Sequence, residues 1–383
     1  MQPPVQREIT ESAAGTPSPT SRDEPTLPAR GSTPKATTGP DAALGALFEQ
    51  CNKAMMGHMR ERAMALRAKQ DANSQLALAL TPGIDQQHEW SDDTPAAEAA
   101  RLLSAQSEMA QQAFARARAI DPAHPDLAWL AASKCFEGKR CQAVQQALLD
   151  REPDNVATWL LAMGWARRQK DEVALEAAFS RAAAAHRYDT HDGAAMLAVV
   201  EAYAGLPTPN VCKNVQLQDW MRKQFPAGDG FDAGTFVAMM ALAGERASVL
   251  SAPGLSELCR PPEGGRLTPE RQAGCVRIYS AMAGGNTLVE RMIATSQMVG
   301  LTRDMPSAIE WRERYRQMRW MSEQSPERIQ QLDLLDIGTN EAAALEAAMR
   351  DSGSWPPPTN WLPADEHARS LIQTGRPPPK PLR

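Results

Sequence analysis

The sequence predicts an all-α protein, with helical hairpins in its first half and a second, irregular helical region after them. Three observations carry this. Apolar residues recur at spacings of three and four through most of the chain. Alanine dominates the apolar set and aromatics make up only 5%, a composition that favours closely packed helices. No two runs of alternating apolar and polar residues flank a tight turn, as a strand pair would require. At 383 residues the chain exceeds one ordinary domain of roughly 100–200 residues, so two folded units are expected.

Residues 1–40 are rich in Pro, Ser, Thr and Gly and cannot bury enough apolar surface to order themselves, so they are expected to form a disordered leader. They contain no apolar core of the kind a cleavable signal needs. The same composition suits a spacer between a signal or anchor and an exported domain; a plain tail on a cytoplasmic protein is the alternative. From Asp41 the positions Leu44, Leu47, Phe48, Cys51, Met55, Met59, Arg62 and Leu66 fall on one helical face. Thr81-Pro82-Gly83 is expected to end that helix, and Thr94 with Pro95 to cap and open the next.

Between Ala110 and His186 the pattern becomes periodic over a longer range. Ala110, Phe114, Ala117 and Pro122 stand at the spacing of small residue, aromatic, small residue and terminal proline. Trp129 opens a helix that Gly138 interrupts, and Val144 to Leu149 continue a second helix before Pro153. Trp159, Phe179 and Ala182 repeat the theme. These residues, and FARARAIDP from Phe114 to Pro122 above all, resemble the tetratricopeptide repeat family. The two tryptophans are 30 residues apart where that family repeats at about 34. Ser133 and Met163 stand where it has glycine, and Arg187 where it has its final proline. The resemblance implies stacked helical hairpins over residues 41–205, with Trp129 and Trp159 packed in the core and a concave surface suited to a peptide or partner helix.

Over 206–355 the period is lost but helix signals persist. Gly205 and Pro207 end one helix, and the apolar run Ala233 to Gly244 reads as a buried one, too short to span a bilayer. Thr268-Pro269-Glu270 starts another, Gly284-Gly285-Asn286 precedes a helix from Thr287 that Gly300 closes, and Ser307 to Met321 is amphipathic. Ser325-Pro326-Glu327 is expected to open a short helix and Asn340 to cap a last one to Met349, after which Pro356 to Pro358 stop the fold. Residues 356–383 read as a Pro-rich, solvated tail. The hairpins, the cysteine-flanked turns and NTLVERMI from Asn286 to Ile293 are similar to uncharacterised exported helical proteins of gamma-proteobacteria, a resemblance that implies no activity.

Net charge −5 and a pI near 5.8 supply no overall attraction to nucleic acid. Arg312, Arg314, Arg316 and Arg319 interleave with Trp311, Tyr315 and Trp320, but Glu310 and Arg314 are spaced for an i,i+4 pair, so a buried aromatic face with a solvated arginine flank is expected. No nucleophile elbow, HExxH or phosphate-binding glycine loop is present. His186, Asp189, His191 and Asp192 lie between two expected helices; imidazole with carboxylate suits zinc, but the spacing matches no metal motif and interhelical loops collect such residues for capping. No metal or cofactor is therefore assigned, and these four stand as the candidate ligands. Cys135 and Cys141 flank the turn of the Trp129 hairpin and Cys259 and Cys275 bracket a Pro-Gly loop, so both pairs are candidate disulfides, with Cys51 and Cys212 paired or free. Six buried thiols in the cytoplasm is the alternative. The function expected is a protein-interaction or scaffold module in the bacterial envelope, binding a protein or peptide and no nucleic acid. The competing reading is a helical enzyme or metal-dependent binder centred on the His186–Asp192 loop or on a pocket between the two helical regions.

Overall fold

The computed structural model describes residues 40–82, 84, 96–124, 126–133, 139–224, 253–262, 265–328, 332 and 334–378. Among them every regular element is a helix, and the strand-like contact is an isolated parallel bridge between Asn155 and Arg187. No helix among the described residues is long and apolar enough to cross a membrane. Thr94, Pro95, Cys135, Gly138 and the run Ala233 to Gly244 lie outside the described residues.

Helix α1 (Pro40–Ala68) buries Cys51, Met55, Met59, Ala63 and Leu66 on the face its spacing predicts, whereas Phe48, expected on that face, is 38% exposed and meets Trp220 edge-on. It stops short of Thr81, because Asp71 caps a new helix, α2 (Ala72–Leu80): its carboxylate accepts from the Ser74 amide at 2.7 Å and the Ser74 hydroxyl at 2.8 Å. Gln75 then donates to the Lys69 carbonyl at 2.9 Å, satisfying an acceptor that the break leaves at the end of α1. Every residue of α2 from Ser74 to Leu80 is buried, because α3 (Ala96–Ile120) and α8 (Asp192–Tyr203) pack against it.

Two pairs of successive packed helices follow. Helices α4 (Leu127–Ser133) and α5 (Lys139–Arg151) pack together, as do α6 (Val156–Gln169) and α7 (Glu172–Ala182), joined through Lys170 in the left-handed region and the Asp171 cap. Ala110, Phe114, Ala117, Phe179 and Ala182 are buried where expected, and Trp129 is 1% exposed. Trp159 departs from expectation: it is half-buried at the core's edge, its indole N–H donating to the Pro153 carbonyl at 2.8 Å.

Residues 44–383 form one compact unit. Helix α6 is shared by two cores: Ala157 and Trp165 join α2, α3, α4 and α8, while Val156, Leu160 and Met163 join α7, Leu255, Ile278, Tyr279 and Met298. The second core collects α10 (Pro253–Leu258), α11 (Pro269–Met282), α12 (Leu288–Leu301) and α13 (Ala308–Arg328). Between α8 and α10 the chain forms a short 3-10 turn (Asn210–Lys213) and α9 (Val215–Gln224).

Four local expectations are corrected. Gly300 lies inside α12, which Thr302 ends by bonding the Met298 carbonyl through both its amide and its hydroxyl. Pro326 does not open a helix; α13 runs through it, and the Ser325 hydroxyl donates at 2.9 Å to the Ser322 carbonyl that proline has no N–H to reach. Chain after Pro358 does not stay solvated: α15 (Glu366–Thr374), capped by Asp365, sets Ala368 and Leu371 against Val299 and Tyr315. The arginines of α13 are accordingly not all on a solvated flank. Arg314 pairs with Glu310 as expected, but Arg312 donates to the Gln373 carbonyl and Arg316 to the Pro358 carbonyl, pinning that segment down. Asn340 does cap: its own backbone is non-helical (φ −158°), and its side-chain oxygen accepts from the Ala343 amide at 3.0 Å within α14 (Leu334–Asp351).

Candidate functional site

Asn155 organises the loop that carries the candidate ligands. Fully buried at the start of α6, its side-chain oxygen accepts from the Ala157 and Asp189 amides (3.1 and 3.0 Å), and its NH2 donates to Glu152 and the Asp189 carbonyl, both at 2.8 Å. With the Val156 amide bonded to the Arg187 carbonyl at 2.8 Å, the loop is zipped along residues 152–156.

His191 is thereby forced into the left-handed region (φ 54°) and makes no side-chain cap for α8; its ring turns inward instead. Nδ1 lies 2.6 Å from Asp126 and Nε2 3.1 Å from Glu152, and the ring stacks on Trp129 with centroids 5.5 Å apart. Arg187 adds a bond to Glu152 at 2.8 Å and approaches Asp189 at 3.3 Å. Burial alone would lower the imidazole pKa; the hydrogen bonds to Asp126 and Glu152, with the charges of Asp189 and Glu152, overcome it and raise it to about 9. Glu152 is the counterpart: burial would raise its carboxyl, but hydrogen bonds from His191 and Asn155 and the charges of His191 and Arg187 hold it below its ordinary value.

This arrangement does not gather the four candidate ligands. His186 points outward, 84% exposed, on Asp154 at 2.8 Å. Asp189 accepts from the His191 amide at 2.9 Å, and Asp192 opens α8. Among the described residues no group of three or more His, Cys, Asp or Glu is placed to hold a metal ion. An imidazole facing a carboxylate at each nitrogen donates from both and keeps no lone pair for a metal or a substrate proton. Asp126, Glu152, Asn155 and Trp129 escaped sequence reading as its partners because nothing local to the loop signals them.

The same loop reaches a second junction. The Tyr188 hydroxyl donates to Glu290 at 2.9 Å, and Glu290 closes a capping box with Thr287 at the start of α12. Glu341 accepts from the Leu288 amide at 2.9 Å, and the Ala342 amide donates to the Asn286 carbonyl at 3.1 Å. The segment Asn286 to Ile293 singled out in the sequence is thus the seat of α14. Gly193 is required here: a Cβ on it would lie 2.9 Å from the Gly338 carbonyl oxygen.

Beyond this junction α14 presents Ala343, Ala344, Ala347 and Ala348 to an open groove of about 700 Å³, bordered by Arg328 and Asp351. The alanine spacing was the available signal.

Cys259 and Cys275 are bonded as expected, with Cα atoms 5.7 Å apart, and Cys51 pairs with Cys212 across 161 residues. Cys141 is also disulfide-bonded. Comparison of the chain with protein-family models, with curated proteins and with solved structures gives no match.

Proposed function

We propose that this chain is a protein-interaction module of the cell envelope that holds a helix or extended peptide of a partner protein in the groove along α14. The groove is the observation that carries the reading. Its alanine floor leaves room for a partner backbone to approach closely, and its Asn340-to-Asp351 length, about 16 Å at 1.5 Å per residue, matches three turns of a docked helix. Asp351 at the groove's end offers a negative charge to fix its direction. The successive helix pairs α4–α5 and α6–α7 support reading the rest of the chain as a tetratricopeptide-like scaffold. The disulfides support an oxidising compartment such as the envelope.

A photo-crosslinking residue at Ala347, compared with one at Val173, tests this. Val173 is 83% exposed on α7, away from the groove lining. The expected result is a discrete adduct from Ala347 alone, abolished by Ala344→Arg without loss of melting temperature. Adducts of equal yield from both positions, or none from Ala347 in native host extracts, would remove the groove from consideration.

A further inference from the structure

We propose that the loop from His186 to Gly193 is a conformational splice, through which the charge cluster around His191 sets the position of α14 and hence the width of its groove. The loop is held at both ends by groups from different parts of the chain. At one end His191 is fixed by Asp126, which precedes α4, by Glu152, which follows α5, and by stacking on Trp129. Arg187 and Asp189 complete the charges there. At the other end Tyr188 holds Glu290 in the α12 capping box, beside the Asn286 carbonyl and Leu288 amide that seat Ala342 and Glu341 of α14.

The spacing leaves little slack between the two ends. Tyr188 and His191 are separated by two residues, and Gly193 follows in the first turn of α8, its Cα packed so closely on Gly338 and Thr339 that a methyl group would lie 2.9 Å and 3.1 Å from their backbone atoms. Helix α8 then packs along α14. Releasing His191 from its carboxylate pair frees the left-handed backbone turn (φ 54°) that leads directly into α8, and α8 cannot shift without displacing Gly338 or opening a gap beside it. Asn340, two residues after Gly338, is the kink from which the groove-lining turn begins. A cluster that contributes no groove residue thus governs the groove through two residues of backbone and one close packing contact.

As regulation of the groove the proposal rests on the function proposed above, but the coupling is measured without a partner, so the two readings fail separately. Coupling between sites is reciprocal, and typical coupling energies correspond to changes of about 5- to 150-fold. In the full chain, His191→Gln should speed amide exchange at Leu288, Ala342 and Ala343 at least about fivefold, with α15 unchanged. Gly193→Ala, acting at the contact with α14, should shift the His191 ring-nitrogen resonances. Exchange changes confined to α4, α5 and the loop would overturn the proposal, as would ring nitrogens that ignore Gly193→Ala. Should His191→Gln fail to fold, the Gly193→Ala experiment decides alone.

Discussion

His191 illustrates how a side chain's surroundings, rather than its type, fix its role. As an imidazolium between Asp126 and Glu152 it stabilises the folded state only while charged. Its pKa is raised in the folded state from 6.5 to about 9, so its contribution is fully present below about pH 6.5 and is lost as pH rises through 9. With the side chain 8% exposed, the shift corresponds to something on the order of 3 kcal/mol. Urea unfolding of the native chain should therefore weaken between pH 7 and pH 10, and His191→Gln should flatten that slope; an unchanged slope would dissolve the link. The tryptophans separate in the same way. Trp129→Ala should cost about 3–5 kcal/mol, whereas Trp159→Ala, at the edge of its core, should cost only about 1–2 kcal/mol. Equal losses by urea titration would return Trp159 to the core that the repeat pattern assigns it.

Among the elements, the C-terminal helix α15 departs furthest from what composition suggests. Proline on both sides marks its segment as a tail, yet Ala368 and Leu371 cover Val299 and Tyr315, and Arg312 bonds the Gln373 carbonyl. Deleting residues 359–383 uncovers those two large side chains and should cost roughly 2–3 kcal/mol, read as a melting temperature lower by several degrees. A truncated chain that melts with the full one would restore the tail reading. The helices of the second half are otherwise set by caps at their starts, as Thr268, Thr287 and Asn340 illustrate.

At the scale of the molecule, two cores meet in α6, and the disulfides act on different spans of chain. Cys51–Cys212 closes 161 residues and Cys259–Cys275 only 16. In the chain-entropy account the first should contribute about 5 kcal/mol and the second about 3 kcal/mol. Alanine substitution of each pair in turn, followed by urea denaturation, should reproduce that order. The reverse order would place the stabilisation in local packing around α10 and α11.

The helical class and most helix starts were legible in the sequence because their causes are local: apolar spacing, a cap and a proline or glycine within a few residues decide them. Most of the buried faces of α1, α3 and α13 followed from periodicity for the same reason, although Phe48 and Ile309, which share those spacings, lie exposed near the helix starts, and Cys259–Cys275 followed from a short bracketed loop. Sequence could not tell that His191 turns inward while His186 turns out, since the partners that separate them, Asp126 and Glu152, stand 65 and 39 residues before His191. Nor could it place α15, whose anchors come from α12 and α13, or pair Cys51 with Cys212. The groove along α14 likewise exists only between elements. What the sequence by itself determined is that this chain is helical, together with those helix starts and apolar faces whose causes are local. Which polar groups meet across those helices was decided by tertiary packing alone, because burial must bring donors and acceptors together from wherever in the chain they lie.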